Sequence, residues 1–93
     1  MYLILVYDIN TQTKEGRKRL PKVMKKCRQF LHHTQKSVFE GEISGAKLFD
    51  LRIAIEKLID EKEDYVVFYK LPNKNNLDRT NIGIDFDPTS NIL

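Results

Sequence analysis

Cysteine occurs once in this sequence, at Cys27, so no disulfide can close within the chain, and neither a second cysteine nor a histidine stands at zinc-finger spacing. A reducing, cytoplasmic setting is the expectation. No apolar run approaches the ~20 residues of a membrane-spanning helix. The run Met1 to Tyr7 is ended by Asp8 and no basic segment precedes it, so it reads as a buried strand and not as a signal peptide. Repeats, low-complexity tracts and linkers are also missing, and residues 1–93 are expected to form one domain. With 41% hydrophobic and 31% charged residues the chain is too apolar for disorder. A chain this short buries only somewhat over ~60% of its unfolded surface, so pairing with a second copy would help it.

Acids are scarce where bases are dense. Nine of the sixteen Lys and Arg residues fall between Lys14 and Lys36, where Glu15 is the only acid. That segment carries +8, against −1 before it and −4 after it. One face is therefore built to attract phosphate or another anion.

The order of elements sets the fold. Tyr2 to Tyr7 is continuously apolar, as a central strand covered on both sides would be. Leu20, Val23, Met24, Cys27, Phe30 and Leu31 recur at intervals of three and four and form one helical stripe, with Lys18, Lys22, Lys25 and Lys26 opposite. Pro21 has no amide hydrogen, so it belongs in the first turn of this helix, or marks a bend if the helix begins earlier. Thr34 to Ile43 reads as extended. Ser44 can cap a second helix whose stripe is Leu48, Leu51, Ile55, Leu58 and Ile59. Tyr65 to Tyr69 repeats the pattern of the first strand, and Asn81 to Phe86 alternates as a less buried strand.

These elements make an α+β sandwich with both helices on one face of a sheet. The other face needs a cover, and a second copy of the chain is the simplest one. Leu31 to Ile43 fits either one strand or a short hairpin turning near Gln35 and Lys36. The hairpin would give the ferredoxin-like topology.

Three segments in order, the apolar run with Tyr7-Asp8-Ile9, the basic Arg17-Lys18-Arg19, and Gln35-Lys36-Ser37-Val38-Phe39-Glu40-Gly41, resemble the second family of CRISPR-associated proteins over residues 1 to about 71. These are small adaptation-complex subunits also described as metal-dependent endonucleases. The resemblance implies a ferredoxin-like βαββαβ core with an additional C-terminal strand and tail, residues 82–93, docking on the partner protomer, in a homodimer with facing sheets. It also implies a CRISPR integrase subunit as partner, duplex DNA or single-stranded RNA as ligand, and Mg2+ or another divalent cation as cofactor. A toxin-like messenger RNA endonuclease, or a non-catalytic RNA-binding module outside CRISPR defence, would show much the same fold and charge.

On this reading Asp8 is the catalytic and metal-ligating residue, shared with its dimer copy, since one carboxylate is a poor magnesium site and symmetry supplies the second. The alternative is that Asp8 accepts hydrogen bonds from the following loop as an Asx turn or helix cap. Lys14, Arg17, Lys18, Arg19 and Lys22 form the expected nucleic-acid-binding set, Arg gripping phosphate bidentately and Lys adding point charge. Tyr7 and Phe39 are accessory candidates for stacking on bases, although strand core explains both, and Ser37 could bond a phosphate or a turn residue. His32 and His33 point to opposite faces of a strand and do not chelate together, and Cys27 is a small core residue.

Overall fold

The computed structural model describes residues 1–84. The chain runs β1 (Tyr2–Asp8), α1 (Lys14–Arg28), β2 (His32–Gln35), β3 (Val38–Glu42), α2 (Gly45–Leu58) and β4 (Tyr65–Leu71), followed by a short 3-10 turn, Lys74–Asn76. The strands form one antiparallel sheet in the order β2-β3-β1-β4. This is the α+β ferredoxin-like arrangement. Leu31 to Ile43 is resolved as the hairpin, β2 and β3 turning at Lys36 and Ser37, with a register shift between His33 and Gln35.

Strand alternation divides β1 between two environments. Leu3, Leu5 and Tyr7 point toward the helices and join Val23, Cys27, Phe39, Leu51 and Ile55 in the buried core. Ile4 and Val6, on the other side, are half-buried. The register carries this division to β4, where Tyr65, Val67 and Tyr69 stand opposite Asp8, Val6 and Ile4 on the open face. Tyr65 and Tyr69 are 62% and 54% exposed. The strand pattern of Tyr65 to Tyr69 anticipates cover on both faces, yet β4 lies at the sheet edge and is nowhere fully buried within the protomer.

The start of α1 is fixed by a cap. Thr13 Oγ1 accepts from the Gly16 amide at 3.0 Å, and Gly16 packs beneath the carbonyl of Asn10. Pro21 consequently lies inside the helix, where it leaves the Arg17 carbonyl without its usual i+4 donor. Ser44 caps α2 as expected, its Oγ accepting from the Lys47 amide at 3.2 Å. Burial pushes the Cys27 thiol up to about 12, so it stays protonated as a core group.

His32 is exposed, whereas His33 is buried and stacks on Phe39 at 4.6 Å, which separates the two rings as strand geometry requires. Asn81 to Ile84 forms no strand, and Ile82 and Ile84 are 95% and 99% exposed. Alternation alone does not make a strand, and the sheet of the described protomer stops at its four strands, with β2 and β4 as its edges. The remainder of the expected C-terminal strand and tail lies outside the described residues. Among the described residues no helix is long and apolar enough to cross a membrane.

On the open face, Glu40 is buried and accepts from the Tyr2 hydroxyl at 2.7 Å, from Thr34 Oγ1 at 2.8 Å, and from the Arg79 guanidinium. Burial alone raises a carboxyl pKa, but these bonds from Arg79, Tyr2 and Thr34 outweigh it and hold Glu40 below its ordinary value. Asp64 is likewise depressed: burial pushes its carboxyl up, and Arg19 with two backbone amides pulls it further down. A depressed carboxyl contributes stability that is complete above its unfolded pKa, ~4, and is lost as the pH falls through the folded value. Thermal melts are therefore expected to be flat from neutral pH to about pH 5 and to drop below about pH 4. Glu40→Gln should soften that acid limb, and an unchanged limb would contradict the assignment.

Candidate functional site

Several segments meet at one end of the sheet. Asp8 closes β1 opposite Tyr65, the first residue of β4. The Tyr7 amide donates to the Ser37 carbonyl at 3.0 Å, and the Tyr7 hydroxyl donates to the Lys36 carbonyl at 2.6 Å. The hairpin turn is thus tied beside the end of β1. The β1–α1 loop and the first turn of α1 follow directly, so Asp8, Ser37 and the opening of the basic helix share this end.

Asp8 is exposed on a strand whose backbone is paired on both sides along most of its length. Among the described residues no hydrogen bond reaches its carboxylate. The roles that compete for a carboxylate here belong to other residues: Thr13 caps α1, and Asn10 Oδ1 accepts from the Gln12 amide at 2.9 Å to form the Asx turn. Asp8 is left rigidly placed and open, as a metal ligand or phosphate-site carboxylate must be.

Among the described residues no three His, Cys, Asp or Glu side chains converge on a point. The described protomer therefore holds no preformed three-ligand site for a divalent cation. Mg2+ commonly binds through one or two carboxylates, completed by water and substrate phosphate. The Asp8 carboxylate fits that pattern only as one part of a ligand set.

The basic residues of α1 divide into two kinds. Lys14, Arg17, Lys18 and Lys22 are exposed and form no ion pair with a carboxylate among the described residues. Arg17 leans back to donate from Nη1 to the Thr11 carbonyl at 3.1 Å, which fixes its stem at the helix start. Arg19 differs. Its Nε and Nη2 grip the two oxygens of Asp64 at 2.7 and 3.1 Å, and the Asp64 side chain has 0% exposure. The guanidinium fork expected to hold phosphate is occupied by a carboxylate of the same protomer.

The accessory candidates also separate. Tyr7 and Phe39 are buried, with ring centroids 5.9 Å apart, and neither presents a face on which a base could stack. Their strand positions put them on the helix side, where apolar burial wins. Ser37 is exposed at the turn.

Sequence reasoning missed Asp64 and Asn10. Asp64 closes the acidic stretch Asp60 to Asp64 that follows α2, and its side chain is buried. A signal did exist, since Arg19 lies three residues after Gly16 and four before Val23, on the flank of the buried stripe. A cation there has to find a partner within the fold.

Comparison with known proteins agrees with the fold and with this arrangement of segments. The model of the family described as CRISPR associated protein Cas2 matches residues 1–79. The "CRISPR-associated endoribonuclease Cas2 2" of Moorella thermoacetica is 42% identical over 91 residues, covering 98% of this chain and 100% of the relative. A structure described as "Crystal structure of cas2" superposes with a TM-score of 0.80 at 36% identity, covering 100% of this chain and 98% of that one. The crystal structure of Streptococcus pyogenes Cas2 gives 0.74 at 35% identity, over 87% of this chain and 100% of that one. The chain, with its βαββαβ order and Asp8 at the end of the central strand, belongs to the Cas2 family of CRISPR-associated proteins.

Proposed function

We propose that two copies of this chain pair through the open faces of their sheets, and that the homodimer binds nucleic acid along the α1 cations and bridges CRISPR integrase subunits during spacer acquisition in the cytoplasm. The observation that carries the binding is the set of exposed, carboxylate-free cations Lys14, Arg17, Lys18 and Lys22 on one helix face. Pairing is supported by the apolar open face, where Ile4, Val6 and Val67 are half-buried beside exposed Tyr65 and Tyr69. Two such helices in one particle make a broader cationic track than either alone.

Contacts of this kind read the phosphate backbone and not the bases, so affinity should depend steeply on salt and little on sequence. With about four phosphates neutralised per protomer and ~8 per dimer, the slope of log K against log salt on duplex DNA is expected near −7. Affinity should fall ~10⁴-fold between about 50 and about 200 mM salt. A change of less than roughly threefold over that range would sink the interface.

A second reading, phosphodiester cleavage, is favoured by the unengaged Asp8 carboxylate, and the printed name of the Moorella relative is that of an endoribonuclease. In this reading Asp8 and its copy would hold Mg2+, which when bound supplies charge stabilisation at phosphate and an activated water. Arg17 and Lys18 orient the strand, RNA or DNA, by its phosphates, while Asp8 stays fixed at the strand end by the β1–β4 pairing. Bridging of integrase subunits requires no cleavage, so the two activities are separable. New-spacer acquisition in cells should survive Asp8→Asn and fail when Arg17 and Lys18 are reversed in charge.

A further inference from the structure

Asp64 saturates its carboxylate with four donors. Oδ2 accepts from Arg19 Nε at 2.7 Å and from the Asp60 amide at 2.8 Å, while Oδ1 accepts from Arg19 Nη2 at 3.1 Å and from the Asn10 amide at 3.0 Å. A carboxylate offers about four acceptor sites, so none remains for another ligand. Those donors come from three places: α1, the loop after β1, and the loop before β4.

The attachment points bracket Asp8. Asn10 stands two residues after it, and Tyr65, which pairs with Asp8, follows Asp64 directly. Asn10 is fastened further by its own groups, Nδ2 donating to Glu63 Oε2 at 2.6 Å and its carbonyl lying against Gly16. The exit of β1 is therefore held from both neighbouring segments, while the Asp8 carboxylate itself makes no bond among the described residues. A side chain this buried, with a bidentate arginine, is a rigid post and not a surface ion pair.

The geometry points to Asp64 as a positioning residue for Asp8, with Arg19 serving the site through Asp64 and not as a phosphate ligand. This rests on the cleavage reading for its kinetic consequence, and it stands on the hydrogen-bond geometry without it. Three consequences separate it from a phosphate-binding role for Arg19. Removing either partner should have the same effect, removing both should be no worse than removing one, and the salt dependence of nucleic-acid binding should not change.

The test compares Asp64→Asn, Arg19→Gln and the double variant with Arg17→Gln, in the full-length protein at temperatures well below each melting point. Amide hydrogen exchange is read first. The Asn10 amide is expected to lose protection at least ~10-fold in each Asp64 and Arg19 variant, with the core strands unchanged. Cleavage of a short RNA with Mg2+ should lose kcat by a common factor of ~10 or more with KM held, and the double variant should match the singles. The salt slope on duplex DNA should equal that of the wild type in all three and be less steep by about one per protomer in Arg17→Gln.

A slope reduced in Arg19→Gln but not in Asp64→Asn would overturn the inference, because Arg19 would then contact phosphate. Unchanged exchange at Asn10 in Asp64→Asn would overturn it as well. If the wild type does not cleave, the cleavage reading alone fails, and exchange with the salt slopes still decides the role of Asp64.

Discussion

Replacing Asp8 by asparagine is expected to lower metal-dependent phosphodiester cleavage by at least ~1,000-fold while leaving the mass of the particle and its nucleic-acid affinity as they were. Asparagine keeps the shape of the side chain but removes the charge that would draw a divalent cation to the strand end. A metal at phosphate is worth several kcal/mol of charge stabilisation, and each ~1.4 kcal/mol is tenfold in rate. The substitution leaves the fold alone because no bond among the described residues depends on the Asp8 carboxylate and its side chain is exposed. Single-turnover cleavage with Mg2+ titrated over a rigorously purified variant makes the measurement. Cleavage equal to that of the wild type would assign the activity to a contaminant and remove Asp8 from the chemistry.

Gly16→Ala should cost the fold more than any surface change in the basic helix. A Cβ built on Gly16 overlaps the carbonyl oxygen of Asn10 and crowds Thr13 Oγ1, the cap of α1. Neither neighbour is the free end of a flexible side chain, so relief requires the loop and the helix start to move apart. Overpacking of this kind costs about 3 kcal/mol. For a domain of this size that is roughly a 15 °C fall in melting temperature. Gly45→Ala is the control, since nothing lies within 4 Å of the added methyl at the start of α2, and alanine there should be neutral or stabilising by up to ~1 kcal/mol. A Gly16→Ala melt within about 2 °C of the wild type would mean that Asn10 does not pack as described.

Much of the fold was legible because periodicity and burial agree. The stripe from Leu20 to Leu31 and that from Leu48 to Ile59 face the core, and the alternation of β1 divides its residues between helices and open face. The order of three short motifs carried the family, whose model matches residues 1–79. Membership in a CRISPR-associated family leaves the toxin-like reading without support. Pro21 left two starts open for α1, and the earlier one is found, since proline is tolerated in an interior when a cap as firm as Thr13 sets the start.

The exposure of Asp8 and of Lys14, Arg17, Lys18 and Lys22 was legible, because position at a strand end and the helical period decide it. It was not legible at Arg19, because sequence neighbours say nothing of Asp64, which lies 45 residues away and is brought in by the return of β4. Long-range pairing of one buried carboxylate changes Arg19 from a free cation to a structural one, while Lys18 beside it stays in solvent. The same holds for Tyr7 and Phe39, whose aromatic character suits base stacking but whose strand faces turn them inward.

The proposed self-association carries the rest: without a second copy the open face of Ile4, Val6, Val67, Tyr65 and Tyr69 would stay in water, and Asp8 would have no twin with which to share a cation. Sedimentation equilibrium at micromolar concentration tests it most directly. A particle of twice the chain's 11.0 kDa is the expected result. A single species of 11.0 kDa that does not grow with concentration would contradict it.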